Sequence, residues 1–225
     1  MRVASGRSVR IHLSRRMQQI SWWQQACMDL SSRDSVIAGL VRRHHGDCLF
    51  GSGHAFRTLV NAIVGQQISV AAADSIWARL THAFPGAASE ALAAADTSEL
   101  RAVGLSNQKA TCVRNAALAF CAGTIDPAAW DRMSDDEIRA ELTTLRGVGP
   151  WTADMMLIFH LQRPDVLPLG DIGLVNAAAR LYGWSLEDNR QRRQRLRDHA
   201  EHWRPWRTVA TWFIWRDLDA EPVVY

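Results

Sequence analysis

Leu145-Arg146-Gly147-Val148-Gly149-Pro150-Trp151-Thr152-Ala153 is the stretch that decides how this chain folds. It lies between two helical patterns, with glycines two positions apart and a proline opening the second helix. Glycine permits positive φ and lets another chain approach the backbone closely. Proline suits the first turn of a helix, whose amides lack intrahelical partners. The product is a tight hairpin that offers free backbone N–H groups at a helix N-terminus, an arrangement suited to an anion such as a phosphate. A helix-helix turn using glycine only for compactness would be spelled the same way, and Gly-x-Gly alone does not separate the two.

Working outward, helical periodicity recurs on both sides. Phe56, Leu59, Val60, Ile63 and Val64 fall on one face of a helix beginning near Gly53. Ser69 is placed to cap the next helix, which runs to about Phe84, and Ser106 to cap another reaching Cys121. Asp126-Pro127 reads as an N-cap followed by proline at the first helical position. Ser134-Asp135-Asp136-Glu137 is a capping box, opening a helix that buries Ile138, Leu142 and Leu145. Further helices are predicted at about 150–162, 171–182, 188–202 and 205–217. Outside the N-terminal stretch there is little alternation of β-branched residues, so the chain is expected to be all-α with short connections.

Composition narrows the class. Of 225 residues, 48% are hydrophobic and 22% charged, globular proportions compatible with one large domain or two small ones. Net charge is +3, but residues 1–33 hold six Arg against Asp29 alone, so the rest of the chain is slightly acidic. Charge by itself would not suggest nucleic acid. The first 28 residues, Arg- and Ser-containing and free of acids, suit a transit peptide, a flexible basic arm or a short strand region packed on the domain. Cys27, Cys48, Cys112 and Cys121 form no Cys-x-x-Cys pair, which favours reduced thiols in a cytoplasmic protein. His44 and His45 near Cys48 read as surface histidines by a core cysteine, not as a metal site. No apolar run approaches the roughly 18 residues of a membrane span. Ten residues are Trp, and 25 of the 26 basic residues are Arg. Any lysine nucleophile therefore has one candidate, Lys109.

Twenty-two residues after Gly149 stands Asp171, in Leu167-Pro168-Leu169-Gly170-Asp171-Ile172-Gly173-Leu174. In isolation it is an N-cap. Taken with the hairpin, the segment resembles the helix-hairpin-helix DNA glycosylase superfamily, and the Gly-Val-Gly-Pro-Trp-Thr-Ala form is similar to its alkyl-base branch, the 3-methyladenine DNA glycosylase II type. Ala62-Ile63-Val64-Gly65-Gln66-Gln67-Ile68-Ser69, Gly104-Leu105-Ser106-Asn107-Gln108-Lys109-Ala110, and the tryptophan-rich stretches Trp203–Arg207 and Trp212–Trp215 are similar to further segments of that branch, in the same order.

The resemblance implies a two-lobed all-α fold over residues 34–217, preceded by a basic arm or packed extension (1–33) and followed by a tail (218–225), with the active site in the cleft between lobes. It implies a monomeric, monofunctional glycosylase acting on double-stranded DNA with alkylated bases. Such an enzyme flips the damaged nucleotide out, because a stacked base cannot present its glycosidic bond. Carried over, Gln67 is the wedge entering the vacated stack. Trp151 and Trp215 line the base pocket, where indole faces attract a cationic purine. Met155 stands where relatives often have an aromatic, implying a softer or wider pocket. Asp171 stabilises the oxocarbenium-like sugar and orients water. Gly147, Val148 and Gly149 hold a phosphate, with a monovalent cation expected at the hairpin backbone and no metal held by side chains. Strand-cutting relatives carry lysine where this chain has Trp151, and cluster-bearing ones carry four late cysteines, whereas none here follows Cys121. Neither lyase activity nor an iron–sulfur cofactor is expected. Lys109 is expected to be a surface or phosphate contact, and Asp154 and Asp165 to be structural. Arg190, Arg192, Arg193, Arg195 and Arg197 are expected on a solvated helix with Leu196, Ala200 and Trp203 inward. Trp22, Trp23, Trp77, Trp130 and Trp184 are assigned to core packing. Two alternatives stay open: the same fold acting on oxidised or deaminated bases, and a non-catalytic DNA-lesion binder.

Overall fold

The computed structural model describes residues 20–185 and 188–218. Expectations for the basic segment before residue 20 and for the tail after Leu218 lie outside these residues. Among the described residues there are twelve α-helices and no strand.

The centre is α3 (Ala55–Gly65), whose run from Thr58 to Val64 is buried at every position. A helix apolar all round must be enclosed by others. Here α4 (Val70–Ala83), α7 (Asn107–Cys121) and α9 (Pro150–Met155) pack on it, with the short α5 (Ser89–Ala94) and α6 (Thr97–Ala102) closing over α7. Each fully buried Leu, Ile or Val contributes roughly 1.5–3 kcal/mol, so this hub dominates the lobe. The caps form where the side chains stand. Ser69 accepts from Ala72 N at 3.3 Å and Ser106 from Lys109 N at 3.2 Å. Both halves of the Ser134–Glu137 box start α8 (Asp135–Thr143). Asp126 caps a 3-10 segment, Pro127–Arg132, where a helix start was read.

The predicted helix over 150–162 is α9 continued by a π-helical turn, Met156–His160. Such turns shift the register of the side chains beyond them. In this one Phe159 stacks on Trp215 of α12 (Arg207–Leu218), with ring centroids 6.0 Å apart and planes 12° apart.

The second group of helices is made from the two ends of the chain. α1 (Trp23–Arg33) and α2 (Ser35–Arg43) pack with α12, and α10 (Ile172–Leu181) packs with α12 and with α11 (Asn189–His199). Trp23, Ala26 and Leu30 of α1 are buried in the shared core. Of the two readings of the N-terminal extension, the described part from Ile20 on packs against the domain, and it does so as a helix with one buried face. Trp23 and Trp130 are buried, and Trp22, Trp77 and Trp184 pack against the core half-buried. On α11 Arg190, Arg195 and Arg197 are exposed and Arg192 and Arg193 half-buried, while Leu196, and then Ala200 and Trp203, turn inward.

Candidate active site and DNA-facing surface

The hairpin between α8 and α9 is anchored by its apolar ends, Leu145 and Val148, both buried. Val148 N donates to Leu145 O at 3.0 Å, closing the turn. Gly147 is required here for two reasons. Its φ is +89°, and a Cβ would stand 2.9 Å from Cys112 Sγ on α7. Of the three residues expected to offer amides to a phosphate, Val148 does not: its amide is spent inside the turn and its side chain faces the core. Among the described residues the amides of Gly147 and Gly149 have no such partner. The carbonyls are differently placed. Leu145 O, Gly147 O and Gly149 O accept from Val148 N, Gln66 Nε2 and Ala153 N. Each of these carbonyl oxygens keeps a second lone pair beyond the one its protein donor uses.

Asp171 ends the Pro-rich approach to α10. Its amide donates to Pro168 O at 2.9 Å, and its Oδ1 accepts from Leu174 N at 2.7 Å as the helix N-cap. Its other oxygen is used as well: Trp151 Nε1 donates to Oδ2 at 2.9 Å. One indole therefore joins the first residues after the hairpin to the carboxylate 20 positions later. Gly173 leaves the room, since a Cβ there would lie 3.1 Å from Asp171 Oδ1. The carboxylate is gripped at both oxygens, sits at the positive end of the α10 dipole, and remains part-exposed. An ionised carboxylate offers about four lone-pair directions, so acceptor capacity is left for water or sugar.

Trp151 and Trp215 are both partly exposed. Leu218, one turn beyond Trp215 on α12, lies 4.0 Å from the Cβ position of Gly173, which sets the end of α12 beside the start of α10. Met155, one turn after Trp151, is 1% exposed and so is closed off from the surface. On the other side of the hairpin's sequence neighbours, α3 ends at Gly65 and the chain turns through Gln67, which is exposed and left-handed at φ +58°. The following Ile68 and Val70 are each 38% exposed, an unusual amount of free apolar surface at the tip of a loop.

A family model described as HhH-GPD superfamily base excision DNA repair protein matches residues 60–205. The chain belongs to this superfamily. DNA-3-methyladenine glycosylase 1 of Schizosaccharomyces pombe is 30% identical over 72% of this chain and 71% of its own length. DNA-3-methyladenine glycosylase 2 of Escherichia coli is 29% identical over 83% of this chain and 67% of its own. Among solved structures, the S. pombe 3-methyladenine DNA glycosylase in complex with abasic DNA superposes with a TM-score of 0.78 at 28% identity, covering 85% of this chain and 95% of that one. A Bacillus halodurans DNA-3-methyladenine glycosidase gives 0.71 at 30% identity, covering 89% and 92%.

In this HhH-GPD chain the two carboxylates that flank the hairpin and Asp171 in sequence, Asp154 and Asp165, are both held by arginines. Asp154 is buried against Arg139 Nε at 2.9 Å; burial raises its pKa despite that cation. Asp165 is held by Arg207 Nε at 2.6 Å and Arg204 Nη1 at 2.5 Å. Both were expected to be structural. Lys109, expected as a surface or phosphate contact, is only partly exposed and turns toward the end of α3. Its Nζ is part-buried and donates to Val64 O and Gln66 O, each at 2.7 Å, and burial lowers its pKa. Two residues escaped the sequence reading. Gln66 Nε2 donates to Gly147 O at 3.0 Å and to Thr152 Oγ1 at 2.9 Å. Asp34 caps α2 with Oδ1 while its Oδ2 accepts from Tyr182 Oη at 2.7 Å and Trp203 Nε1 at 2.9 Å, with His199 Nε2 at 3.2 Å. Burial opposes the charge of Asp34, but these bonds outweigh it and hold its pKa far below the carboxylate range. An aspartate before Ser35-Val36-Ile37 was a visible cap signal; its distant partners left none.

Among the described residues no helix is long and apolar enough to cross a membrane.

Proposed function

We propose that this HhH-GPD protein is a monofunctional DNA glycosylase that releases alkylated purines of the 3-methyladenine type from double-stranded DNA, leaving an abasic site. The observation that supports this is the Trp151 Nε1–Asp171 Oδ2 hydrogen bond, which joins an indole directly after the hairpin to the carboxylate at the start of α10.

The chemistry follows from the groups present. A flipped alkylpurine carries positive charge, and the faces of Trp151 and Trp215 attract it by about 0.5–2 kcal/mol. As the glycosidic bond breaks, its electron pair leaves with the base, which becomes neutral, so no general acid is required. The sugar gains oxocarbenium character, and Asp171, fixed at both oxygens, stabilises it electrostatically. Water then adds at C1′ and loses a proton, a step the same carboxylate can assist. The amides of Gly147 and Gly149 grip a backbone phosphate, and Gln67 enters the space the base vacates. Lyase chemistry would need an amine at C1′. Trp151 stands at the hairpin position where a lyase has lysine, and Lys109 Nζ is committed to two carbonyls at the end of α3, Val64 O and Gln66 O. No step calls for a cofactor.

The test is a panel of duplexes carrying single defined lesions, scored as alkali-labile sites with enzyme in excess. Release from alkylpurines, with oxidised and deaminated bases left intact, is expected. Asp171→Asn should slow release at least a hundredfold, on the scale of losing one transition-state charge contact. Full activity in that variant would refute the mechanism, and a borohydride-trapped adduct would refute monofunctionality.

A further inference from the structure

The exposed tip at Gln67 is held by side chains from two other elements. The last turn of α3 closes weakly on itself, with Gln66 N 3.4 Å from Ile63 O. Carbonyls at a helix C-terminus lack intrahelical partners and favour a cation. Lys109 supplies it from α7, reaching Val64 O and Gln66 O at 2.7 Å each. The side chain of Gln66 then bonds the hairpin at Gly147 O and the buried Thr152 Oγ1. Backbone and side chain of the residue before Gln67 are thus both fixed, and Gln67 itself adopts the left-handed φ of +58° that a non-glycine residue avoids unless its surroundings impose it. The chain uses arginine at 25 of its 26 basic positions and keeps lysine here. A compact ammonium converges on two carbonyls of one turn where a planar guanidinium presents a wider fork.

We propose that Lys109 and Gln66 are positioning residues that lock the Gln67 tip to the hairpin, so that insertion into the base stack and grip on the neighbouring phosphate act as one rigid body during nucleotide flipping. This rests on the glycosylase reading above. Removing the clamp frees the tip to leave its left-handed conformation and lowers the efficiency of flipping while leaving Asp171 in place. Flipping costs least when the target base is unpaired, so the defect should depend on the opposite strand.

The experiment measures single-turnover base release from two duplexes, one with N7-methylguanine paired to cytosine and one with the same lesion opposite an abasic analogue. Lys109→Met and Gln66→Ala are expected to lose about tenfold on the paired duplex and no more than about twofold on the unpaired one. Equal losses on both, or no loss on either, would overturn the proposal, since damage to the fold or to the chemistry would not distinguish them. Thermal unfolding checks the variants, and Gln66→Ala, which removes only two side-chain bonds, carries the test should Lys109→Met not fold. Release from neither duplex by the unsubstituted protein would instead overturn the glycosylase reading itself, and the proposal with it.

Discussion

Trp151→Phe separates the two tasks assigned to one side chain. The substitution keeps an aromatic face for the base but deletes the Nε1 donor that meets Asp171 Oδ2 at 2.9 Å. A hydrogen bond to an ionised acceptor is worth about 1.5–3 kcal/mol. Asp171 is part-exposed, so water can occupy the vacated lone pair, and the lower end of that range applies to the energy lost. The smaller ring adds a loss of about 0.5 kcal/mol of cation–π attraction. Since about 1.4 kcal/mol is a factor of ten in rate, base release at saturating enzyme should slow ten- to thirtyfold. Affinity for the abasic product should change by less than about threefold, because the hairpin amides and the Gln67 tip are untouched.

The assay is single-turnover release from a duplex with one alkylpurine, run in the unsubstituted and Asp171→Asn backgrounds. If Trp151 acts through Asp171, the effect of Trp151→Phe should nearly vanish once the carboxylate is gone, a non-additivity expected of groups in direct contact. An unchanged saturating rate, or a loss confined to DNA affinity, would refute the role of the indole N–H. Full additivity with Asp171→Asn would refute the coupling.

Other perturbations bear on the scaffold. Gly147→Ala meets both a positive φ and Cys112, with Sγ at 2.9 Å and Cβ at 3.1 Å; it should cost about 2–3 kcal/mol and weaken DNA binding, and adding Cys112→Ala should restore part of the melting temperature by removing the Sγ contact while the tight Cβ contact and the strain of φ remain. Asp34→Asn should destabilise the protein by about 3 kcal/mol at neutral pH, because Tyr182, Trp203 and His199 lose a charged acceptor. The folded pKa of Asp34 lies below its unfolded value, so its contribution is complete above about pH 4 and fades only as the pH falls further; denaturant titrations at pH 7, 5 and 3 should show an equal deficit at the first two and a smaller one at the third. Cys112, whose thiol burial pushes up to about 11, should resist alkylation at pH 8 in the native protein while the exposed Cys121 reacts, as mass spectrometry before and after denaturation would show.

What the sequence made legible was local. Caps at Ser69, Ser106, Ser134 and Asp171 each depend on an acceptor and an amide two or three residues apart, and all four bonds form. The hairpin could be read for the same reason, since glycine and proline act on their own φ. α1 went unread because the basic excess was averaged over residues 1–33, although five of the six arginines precede residue 20 and the spacing of Trp23, Ala26 and Leu30 was helical throughout. The rest was illegible because the partners are remote. Asp34 is defined by side chains 148 to 169 residues away, and Gln66 by the hairpin 81 and 86 residues on. Lys109 shows the difference most sharply. As the only lysine it was first of all a candidate nucleophile, then a surface or phosphate contact by exclusion. A nucleophilic amine needs its lone pair free and its nitrogen at C1′. This one points its hydrogens at two carbonyls 43 and 45 residues earlier in the chain and is tied to the end of α3, so the substitution of that lysine should alter where the tip of the loop sits and not the bond that is broken.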